Sequence, residues 1–177
     1  MGMLNIPELH RAVKGIEICV DTREHDNAAL KWRLEQMKCP TYRTALNVGD
    51  YAARFPLPGG GWYDLADRCV VERKQSIDEI SGNLGRNRER FIREFERAKE
   101  KGTRIYLLIE NSSFGQIYRH EYGSRMNEES IIGSLLALLA RYDCRLIMCD
   151  AAKSGQLIKK ILVREGYERM KKELVEV

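Results

Sequence analysis

The chain has 177 residues, of which 44% are apolar, with 30 Lys and Arg against 26 Asp and Glu and a formal net charge of +4. These values are typical of one folded domain and exclude a disordered acidic segment or a polycationic tail, so any nucleic-acid contact must come from a local basic patch. No stretch approaches the roughly 18 consecutive apolar residues of a membrane span, and the amino terminus lacks a signal-peptide pattern. We therefore expect an intracellular, cytoplasmic protein that contacts no membrane.

The five cysteines and three histidines do not predict a metal or disulfide site. The cysteines contain no C-x-x-C pair and lie mostly in or beside apolar runs, so we interpret them as small buried apolar side chains. His10, His25 and His120 are scattered and form no pattern of metal ligands. Any metal in this protein should therefore be held by oxygen atoms.

The first predicted elements are a strand and a helix. Residues 16–20 form a short apolar run that predicts a buried strand, and the strand delivers Asp21 to a loop. The spacing of apolar residues predicts a helix over 26–38, which Pro40 ends.

A pair of strands is predicted next. Residues 42–48 and 51–55 have strand composition, and Gly49 with Asp50 would form the turn or bulge that makes them antiparallel partners. The prolines and three consecutive glycines of residues 56–61 cannot continue a strand, so they predict a hairpin loop or flap.

The second half of the chain alternates between apolar runs and helices. The apolar run 69–71 leads into the charged residues 72–74. A capping box at Ser76 predicts a helix that breaks near Gly82 and Gly85 and resumes at about Asn87 as a basic, amphipathic helix. The remaining predictions are a strand over 104–109, a loop over 114–127, a strongly apolar helix from Asn127 to Leu139 that is buried on most sides, a strand over 145–149 and a final helix over 155–174.

This order of elements predicts an α/β fold in which helices cover both faces of a mixed central sheet. We expect a single domain over residues 1–177, with a core over about 16–150 and a carboxyl-terminal helix over 151–177. Active groups in such sheets usually collect at the carboxyl ends of strands.

Three predicted strand ends place carboxylates in loops, namely Asp21, Asp50 and Glu72, and Lys74 follows Glu72 by two residues. In an extended chain, residues i and i+2 share a face, so Glu72 and Lys74 project together while Arg73 points the opposite way. Carboxylates beside an ammonium suit a hard divalent ion and an activated water, which is the chemistry of phosphodiester hydrolysis. On spacing alone this signal is weak, and surface charges with one exposed ion pair would be the favoured interpretation of the same residues.

Three segments give this pattern a more specific meaning. Residues 20–24 (V-D-T-R-E), 48–51 (V-G-D-Y) and 71–78 (V-E-R-K-Q-S-I-D) resemble the V-D-x-R-E, G-D-Y and E-R-K-x-x-x-D elements of the XPF/Hef nuclease family in order and spacing. The resemblance covers residues 16 to 149. It implies a restriction-endonuclease-like core, Mg²⁺ or Mn²⁺ as cofactor, and a role in DNA repair or recombination. The implied substrate is branched DNA or a junction between duplex and single strand.

The resemblance also implies roles for individual residues. Asp50 and Glu72 would be the principal metal ligands, Asp21 a further acidic member and Lys74 the group that orients water. Arg73 matches the family arginine, and alternation predicts that it lies under the sheet or is braced against a carboxylate. Asp78 and Glu24 would support the site, although Asp78 could equally serve the helix dipole and Glu24 could be a solvated loop acid.

The basic helix is the predicted DNA-binding surface. Arg86, Arg90, Arg93 and Arg97 follow the acidic site in the chain and would bring guanidinium groups to phosphates, although Arg and Glu at these spacings also make an ordinary solvated helix. Trp62, beside the glycine loop, is the better of two tryptophans for stacking on a base, although packing roles are favoured for both.

Family enzymes commonly carry a tandem helix-hairpin-helix module after the nuclease domain, for which this sequence has no room. DNA would then be held by the domain itself, by a homodimer or by a partner protein. The apolar helix at 131–139 and the apolar stripe of the last helix lead us to expect a dimer, although both could equally belong to the core. The alternative function is a non-catalytic DNA-binding or scaffold subunit of the same fold.

Overall fold

A seven-stranded mixed sheet organises residues 3–175, the part of the chain that the computed structural model describes. Its strands are β1 (Glu17–Asp21), β2 (Thr41–Thr44), β3 (Tyr51–Pro56), β4 (Trp62–Asp64), β5 (Cys69–Lys74), β6 (Arg104–Glu110) and β7 (Cys144–Cys149). The strand order is β2-β1-β3-β5-β6-β7, and β4 forms a hairpin with β3. β3 is antiparallel to β1 and β5, while the β1–β2, β5–β6 and β6–β7 pairs are parallel.

Helices cover both faces of this sheet. They are α1 (Ile6–Lys14), α2 (Ala28–Met37), α3 (Ile77–Leu84), α4 (Arg88–Lys101), α5 (Phe114–Tyr118), α6 (Glu128–Arg141) and α7 (Ala151–Leu174). One apolar core joins α1, α2 and α7 to one sheet face, and a second joins α3, α4, α5 and α6 to the other. The predicted α/β fold with a mixed central sheet is therefore confirmed. None of the helices within residues 3–175 has the length and apolarity needed to cross a bilayer.

The α3–α4 region forms as its sequence predicts. Ser76 caps α3 through its hydroxyl, which accepts a hydrogen bond from the amide of Glu79 at 3.3 Å. The chain turns at Gly85, and α4 then buries Phe91, Phe95 and Ala98 against the sheet. The charged residues between these three positions point outward, so α4 presents a basic surface beside the end of β5.

The predicted antiparallel pairing of residues 42–48 with 51–55 is wrong. β2 ends at Thr44 and pairs in parallel with β1, which lies between β2 and β3. After β2, the amide of Leu46 donates to Asp21 Oδ2 at 2.6 Å, so the partner of this amide is a side chain and not a neighbouring strand. Gly49 then turns the chain with φ of 77°, and a Cβ there would lie 2.7 Å from Val70.

Two predictions for the second half also need correction. The segment 114–127 contains α5, which Ser113 caps by accepting from the amide of Gln116 at 3.2 Å. Helix α6 is not buried on most sides, because Leu136 is 53% exposed. Only the side that carries Ile131, Leu135 and Leu138 is covered within the described chain.

The last helix differs from its prediction as well. It starts at Ala151 instead of Gly155, because Asp150 caps it by accepting from the amide of Ala152 at 2.8 Å. Its apolar stripe is not available for a dimer, since Ile158 and Leu162 are fully buried in the core. The cysteines are free; Cys19, Cys69 and Cys144 are buried as predicted, and the other two are partly exposed.

The crossing of α2 and α7 gives a test of the packing. A Cβ at Gly155 would lie 2.2 Å from the carbonyl oxygen of Arg33, whereas Gly133 on α6 faces open space. We expect Gly155→Ala to lower the free energy of unfolding by about 1–3 kcal/mol. Gly133→Ala should raise it by about 0.5–1 kcal/mol, because alanine favours the helix. Urea denaturation measures both, and a fully stable Gly155→Ala protein would contradict the crossing.

Candidate active site

Strand β5 places a carboxylate and an ammonium group side by side near its own carboxyl end. Glu72 and Lys74 lie on the face that α3 and α4 cover, and the Lys74 ammonium is 2.6 Å from Glu72 Oε1. Both side chains are about nine-tenths buried. Phe91 of α4 packs near them, with its ring centre 5.3 Å from Lys74 Nζ. The pair is therefore enclosed between the sheet and a helix.

Asp50 joins this pair from the turn before β3. The amide of Asp50 donates to the carbonyl of Val71 at 2.9 Å, and Asp50 Oδ2 accepts from the amide of Arg73 at 2.7 Å. These two hydrogen bonds continue the β3–β5 pairing past its last residue. They fix the second carboxylate beside Glu72.

The three side chains open into one cavity of about 250 Å³. Its other walls come from the β1 loop, α3 and α4, and its lining residues are Arg23, Asp50, Glu72, Lys74, Glu79, Asn83, Asn87, Arg90, Phe91 and Glu94. Four of these are carboxylates and three are cations, so the formal charge of the lining is −1 when every group is ionised. A bound cation would favour the ionised form of the carboxylates.

Burial perturbs the acids of the cavity. It raises the pKa of Asp50 well above its usual range, and repulsion from Glu72 and Glu24 raises it further. Burial also raises the pKa of Glu72, and the attraction of Lys74 offsets this only in part. Burial lowers the pKa of Lys74, but Glu72 and Asp50 outweigh it, and the net pKa lies above the usual value. Two desolvated carboxylates that repel each other are stabilised when a positive ion lies between them.

Asp21 was predicted as a further member of the acidic site, and the structure gives it other partners. Its Oδ1 accepts from the amide of Arg23 at 2.8 Å and from Arg23 Nε at 2.6 Å, while Oδ2 accepts from Leu46. Burial raises the pKa of Asp21, but these hydrogen bonds outweigh burial and the net pKa is lowered. Asp21 does not line the cavity; instead it positions Arg23, which does.

Arg73 lies on the opposite face of β5, as alternation predicts. Its Nη1 donates to Glu110 Oε2 at 3.0 Å, and Arg33 Nε donates to Glu110 Oε1 at 3.2 Å. Glu24 was predicted to support the site; it does not line the cavity and lies on this opposite face. It accepts from the Tyr51 hydroxyl at 2.8 Å and lies 3.9 Å from both Arg33 Nη1 and Arg73 Nε. The four charges form a buried network beneath the candidate site.

Asp78 does not join Asp50, Glu72 and Lys74. Its Oδ1 accepts from the amide of Gly123 at 2.8 Å, so it ties the start of α3 to the loop before α6. It lines a separate cavity, together with Arg86. The structure thus gives Asp78 a bracing contact in addition to its place in the first turn of α3.

The four predicted DNA-binding arginines are all exposed, but they face different regions. Arg90 lines the candidate cavity, and Arg86 lies in the α3–α4 turn and lines the cavity that contains Asp78. Arg93 is 3.9 Å from Glu89, which is a weak surface pair. Arg97 lies one helical turn beyond Arg93. The basic surface therefore extends from the cavity along α4.

Sequence reasoning missed several lining residues. Glu94 lines the cavity from α4 and Asn87 from the residue before it, while Glu79 and Asn83 line it from α3; Arg90 was predicted as a DNA-binding residue and also lies on this wall. Positions 87, 90, 91 and 94 repeat at spacings of three and four residues, which marks one helix face. That periodicity was visible in the sequence, but nothing in it showed that this face turns toward β5.

The donor set fits a hard divalent ion in part. Asp50 and Glu72 supply carboxylate oxygens, the ligands that Mg²⁺ and Mn²⁺ prefer, and Glu79 and Glu94 lie on the same cavity wall. Within residues 3–175, no group of three Asp, Glu, His or Cys side chains is close enough to hold an ion by itself. This is compatible with Mg²⁺, which keeps several waters and binds proteins through one or two carboxylates.

Comparisons with known proteins agree with the fold. The family model for the ERCC4 domain matches residues 20–161. XPF from Aeropyrum pernix has a similar structure, with a TM-score of 0.61 and 22% sequence identity over 84% of this chain and 61% of that one. XPF from Aeropyrum pernix in complex with DNA gives a TM-score of 0.60 and 24% identity, over 91% of this chain and 68% of that chain. A comparison with curated protein sequences gives no significant match.

Because the pKa of Asp50 is raised, replacing its carboxyl group should stabilise the protein in a pH-dependent way. A carboxyl group with a higher pKa in the folded state favours folding below its unfolded pKa, and this contribution is lost as the pH rises through the folded pKa. Without divalent ions, Asp50→Asn should therefore raise the melting temperature at pH 7.5 but hardly at pH 4. The expected gain is on the order of 1 kcal/mol, or about 2–4 °C.

Asp67→Asn is the control with the opposite sign. Hydrogen bonds from Asn47 and Lys101 lower the pKa of Asp67, so its contribution to stability is present at neutral pH and lost in acid. Asp67→Asn should therefore slightly lower the melting temperature at pH 7.5. A melting temperature for Asp50→Asn below that of the wild type at pH 7.5 would contradict the crowded acidic site.

Proposed function

Because the chain belongs to the ERCC4 domain family, we propose that it is a divalent-metal-dependent DNA endonuclease acting on branched DNA or on junctions between duplex and single strand. The observation that carries the proposal is the cavity at the end of β5, where Asp50 and Glu72 lie beside the ammonium of Lys74. Acids and a lysine in this arrangement suit phosphodiester hydrolysis.

Each side chain has a defined part in this chemistry. Asp50 and Glu72 would hold Mg²⁺ or Mn²⁺, which when bound polarises the phosphodiester and lowers the pKa of water. Lys74 keeps its proton, because Glu72 and Asp50 raise its pKa, so it acts as a fixed positive charge that orients water and stabilises the charge developing on the phosphate. The backbone amide of Arg73 donates to Asp50 Oδ2 and holds that carboxylate in place, while the Arg73 side chain pairs with Glu110 on the other face.

The basic surface along α4 supports DNA as the substrate. Arg90 lines the cavity itself, and Arg86, Arg93 and Arg97 extend positive charge away from it. Exposed guanidinium groups bind phosphates and carry no base preference of their own. That one similar structure, XPF from Aeropyrum pernix, is a complex with DNA agrees with this assignment. A junction preference is proposed from the family and not from the geometry of the cavity.

A non-catalytic DNA-binding subunit of the same fold is the second candidate. The observation that favours it is that the described residues bring only two of the three predicted acidic ligands into the cavity, with Asp21 held by Arg23 and Leu46. Such a subunit would bind the same DNA through α4 and leave the strands intact. The cleavage assay below separates the two candidates.

We further propose that the protein forms a homodimer through α6 and β7. β7 is an edge strand, and Leu136 of α6 is 53% exposed with Ile132 and Leu139 partly exposed on the same helix. An apolar helix face beside an unpaired strand edge is a common dimer interface and an aggregation risk when left open. A second copy related by a two-fold axis would cover both.

Metal-dependent cleavage is the direct test of the proposed activity. The protein should cut a fork or flap substrate with Mg²⁺ or Mn²⁺ and leave it intact in EDTA. Glu72→Gln and Lys74→Ala should each slow cleavage by at least about 100-fold, because each removes a group that acts in the transition state. Glu168→Gln, which changes an exposed acid on α7, is the matched control and should cleave at the wild-type rate.

Three outcomes of this assay would contradict parts of the proposal. Cleavage in EDTA would refute the metal requirement, and a fully active Glu72→Gln protein would refute the site. Equal rates on a linear duplex and on a fork would refute the junction preference alone.

DNA binding through α4 predicts a local effect of charge removal. Arg90→Ala and Arg86→Ala should weaken DNA binding regardless of base sequence, and each lost phosphate contact should flatten the slope of log K against log salt by about one unit. Lys171→Ala, at an exposed site on α7, should change neither quantity. Equal effects of the three changes would indicate a diffuse positive surface and refute the proposed DNA path.

If the protein is a dimer, a charge introduced on the exposed face of α6 should change its oligomeric state. Light scattering should give twice the monomer mass, and Leu136→Glu should shift the protein toward the monomer because a carboxylate would be buried in the interface. Ile6→Glu is the control, since Ile6 is 42% exposed on α1. A monomeric wild type at high concentration would contradict the proposal.

A further inference from the structure

A second and larger cavity lies on the other face of β5. It measures about 640 Å³ and opens where α2, α3 and α7 begin, at the same end of the sheet as the candidate active site. Arg73 and Glu110 lie in its wall, and Trp32 and Asn111 line it closer to solvent. Glu79 lines both cavities, so the two sites share a wall.

The polar groups of this cavity are mixed in sign. Glu24, Glu79 and Glu110 face the two guanidinium groups of Arg33 and Arg73, which leaves no excess of positive charge. A phosphate is therefore not the favoured occupant of its interior. Carboxylates, guanidinium groups and amides together offer acceptors and donors in one place, which is what the polar edge of a nucleobase requires.

One donor in the wall is incompletely used. Arg73 Nε is buried and makes no hydrogen bond within residues 3–175, and its 3.9 Å separation from Glu24 Oε2 exceeds hydrogen-bonding distance. Buried donors are normally paired, so this atom is an exception that a bound group or a small shift of Arg73 would satisfy. The Arg73 side chain is otherwise fixed by Glu110.

Trp32 supplies an aromatic surface at this cavity. Its side chain is 47% exposed although it is one of the largest apolar groups of the chain. Trp62 is similarly exposed, but the Arg54 guanidinium already covers its ring at 4.1 Å and its own cavity is bordered by Asp64 and Asp67. The sequence favoured packing for both tryptophans and made Trp62 the better candidate for stacking, whereas Trp32 is the one with an open ring beside a cavity.

We propose that this cavity binds an unpaired nucleobase from the single-stranded part of the DNA substrate, stacked on Trp32. The inference rests on the proposed function and adds to it a site that reads single-stranded character beside the cleavage site. Because Glu79 separates the two cavities, a strand leaving the active site can place a base in the second one. The phosphates of that strand would remain at the solvent-exposed rim.

The test uses the two tryptophans of the chain. In a Trp62→Phe protein, Trp32 is the one remaining tryptophan, and its emission should be quenched saturably by a single-stranded oligonucleotide in EDTA, where no cleavage occurs. A labelled single strand should bind about 5- to 100-fold more weakly to Trp32→Ala than to the wild type, the range expected for one base stacked on an aromatic side chain. Trp62→Ala should bind it normally, and duplex binding should be unchanged in both.

Two further ligands decide whether a base on a strand is recognised. An oligonucleotide of abasic units should fail to quench Trp32, and a deoxynucleoside monophosphate should quench it only at far higher concentration. Equal binding of the abasic strand, or equal losses in Trp32→Ala and Trp62→Ala, would overturn the base site. Tight binding of the monophosphate would overturn the claim that the ligand is a strand.

The inference and the proposed function fail in different ways. If the wild type cleaves no substrate yet Trp32 is quenched by a single strand, the nuclease proposal fails and the base site stands. If the wild type cleaves forks while Trp32→Ala keeps full affinity for single strands, the base site fails and the nuclease proposal stands.

Discussion

Two sets of charges on opposite faces of β5 determine where this molecule can act. Glu72 and Lys74 form an ion pair of 2.6 Å on one face, and Arg73 is paired with Glu110 at 3.0 Å on the other. The period of two along a strand requires this division once the three residues are in sheet geometry. Both cavities at the end of the sheet follow from it, the smaller beside Glu72 and the larger beside Arg73.

The network around Glu110 holds the elements that carry both sites. Glu110 at the end of β6 accepts from Arg33 of α2 and from Arg73 of β5, and Arg33 also donates to Tyr51 of β3 at 3.1 Å. Buried charges of this kind add little net stability, but loss of one partner leaves the others unpaired, at a cost of about 3–5 kcal/mol. The network therefore fixes the relative positions of three strands and one helix. Arg73, a residue of the family motif, therefore helps to position the site although it does not line the cavity.

The sequence predicted several features that are local in the chain. The β5 charges, the cap at Ser76 and the break before α4 depend on neighbouring residues, and each has the predicted form. A capping box that joins Asn5 to Glu8 also marks the start of α1, although the apolar pattern there is too short to have predicted that helix. Sequence reasoning therefore recovered only part of the local chemistry, because the caps of α5 at Ser113 and of α7 at Asp150 are equally local and were not predicted.

Features that depend on distant residues were not recovered. Nothing in the composition of residues 42–48 specifies that β1 inserts between β2 and β3, because a strand pattern does not name its partner. Its position at a strand end and the family resemblance placed Asp21 in the acidic site, whereas Arg23 and the amide of Leu46 donate to its oxygens. Glu94 of α4 could be assigned to the cavity wall only once the rotation of that helix against the sheet was known.

A calorimetric titration with Mn²⁺ tests the central claim, that Asp50 and Glu72 form a cation site beside an ammonium that does not bind the ion. The wild type should bind Mn²⁺, and Glu72→Gln should bind it at least about tenfold more weakly, since a carboxylate ligand is lost. Lys74→Ala should bind it as well as the wild type or better, because removal of a neighbouring positive charge favours a cation. Unchanged binding by Glu72→Gln, or a loss of binding in Lys74→Ala, would contradict this account of the site.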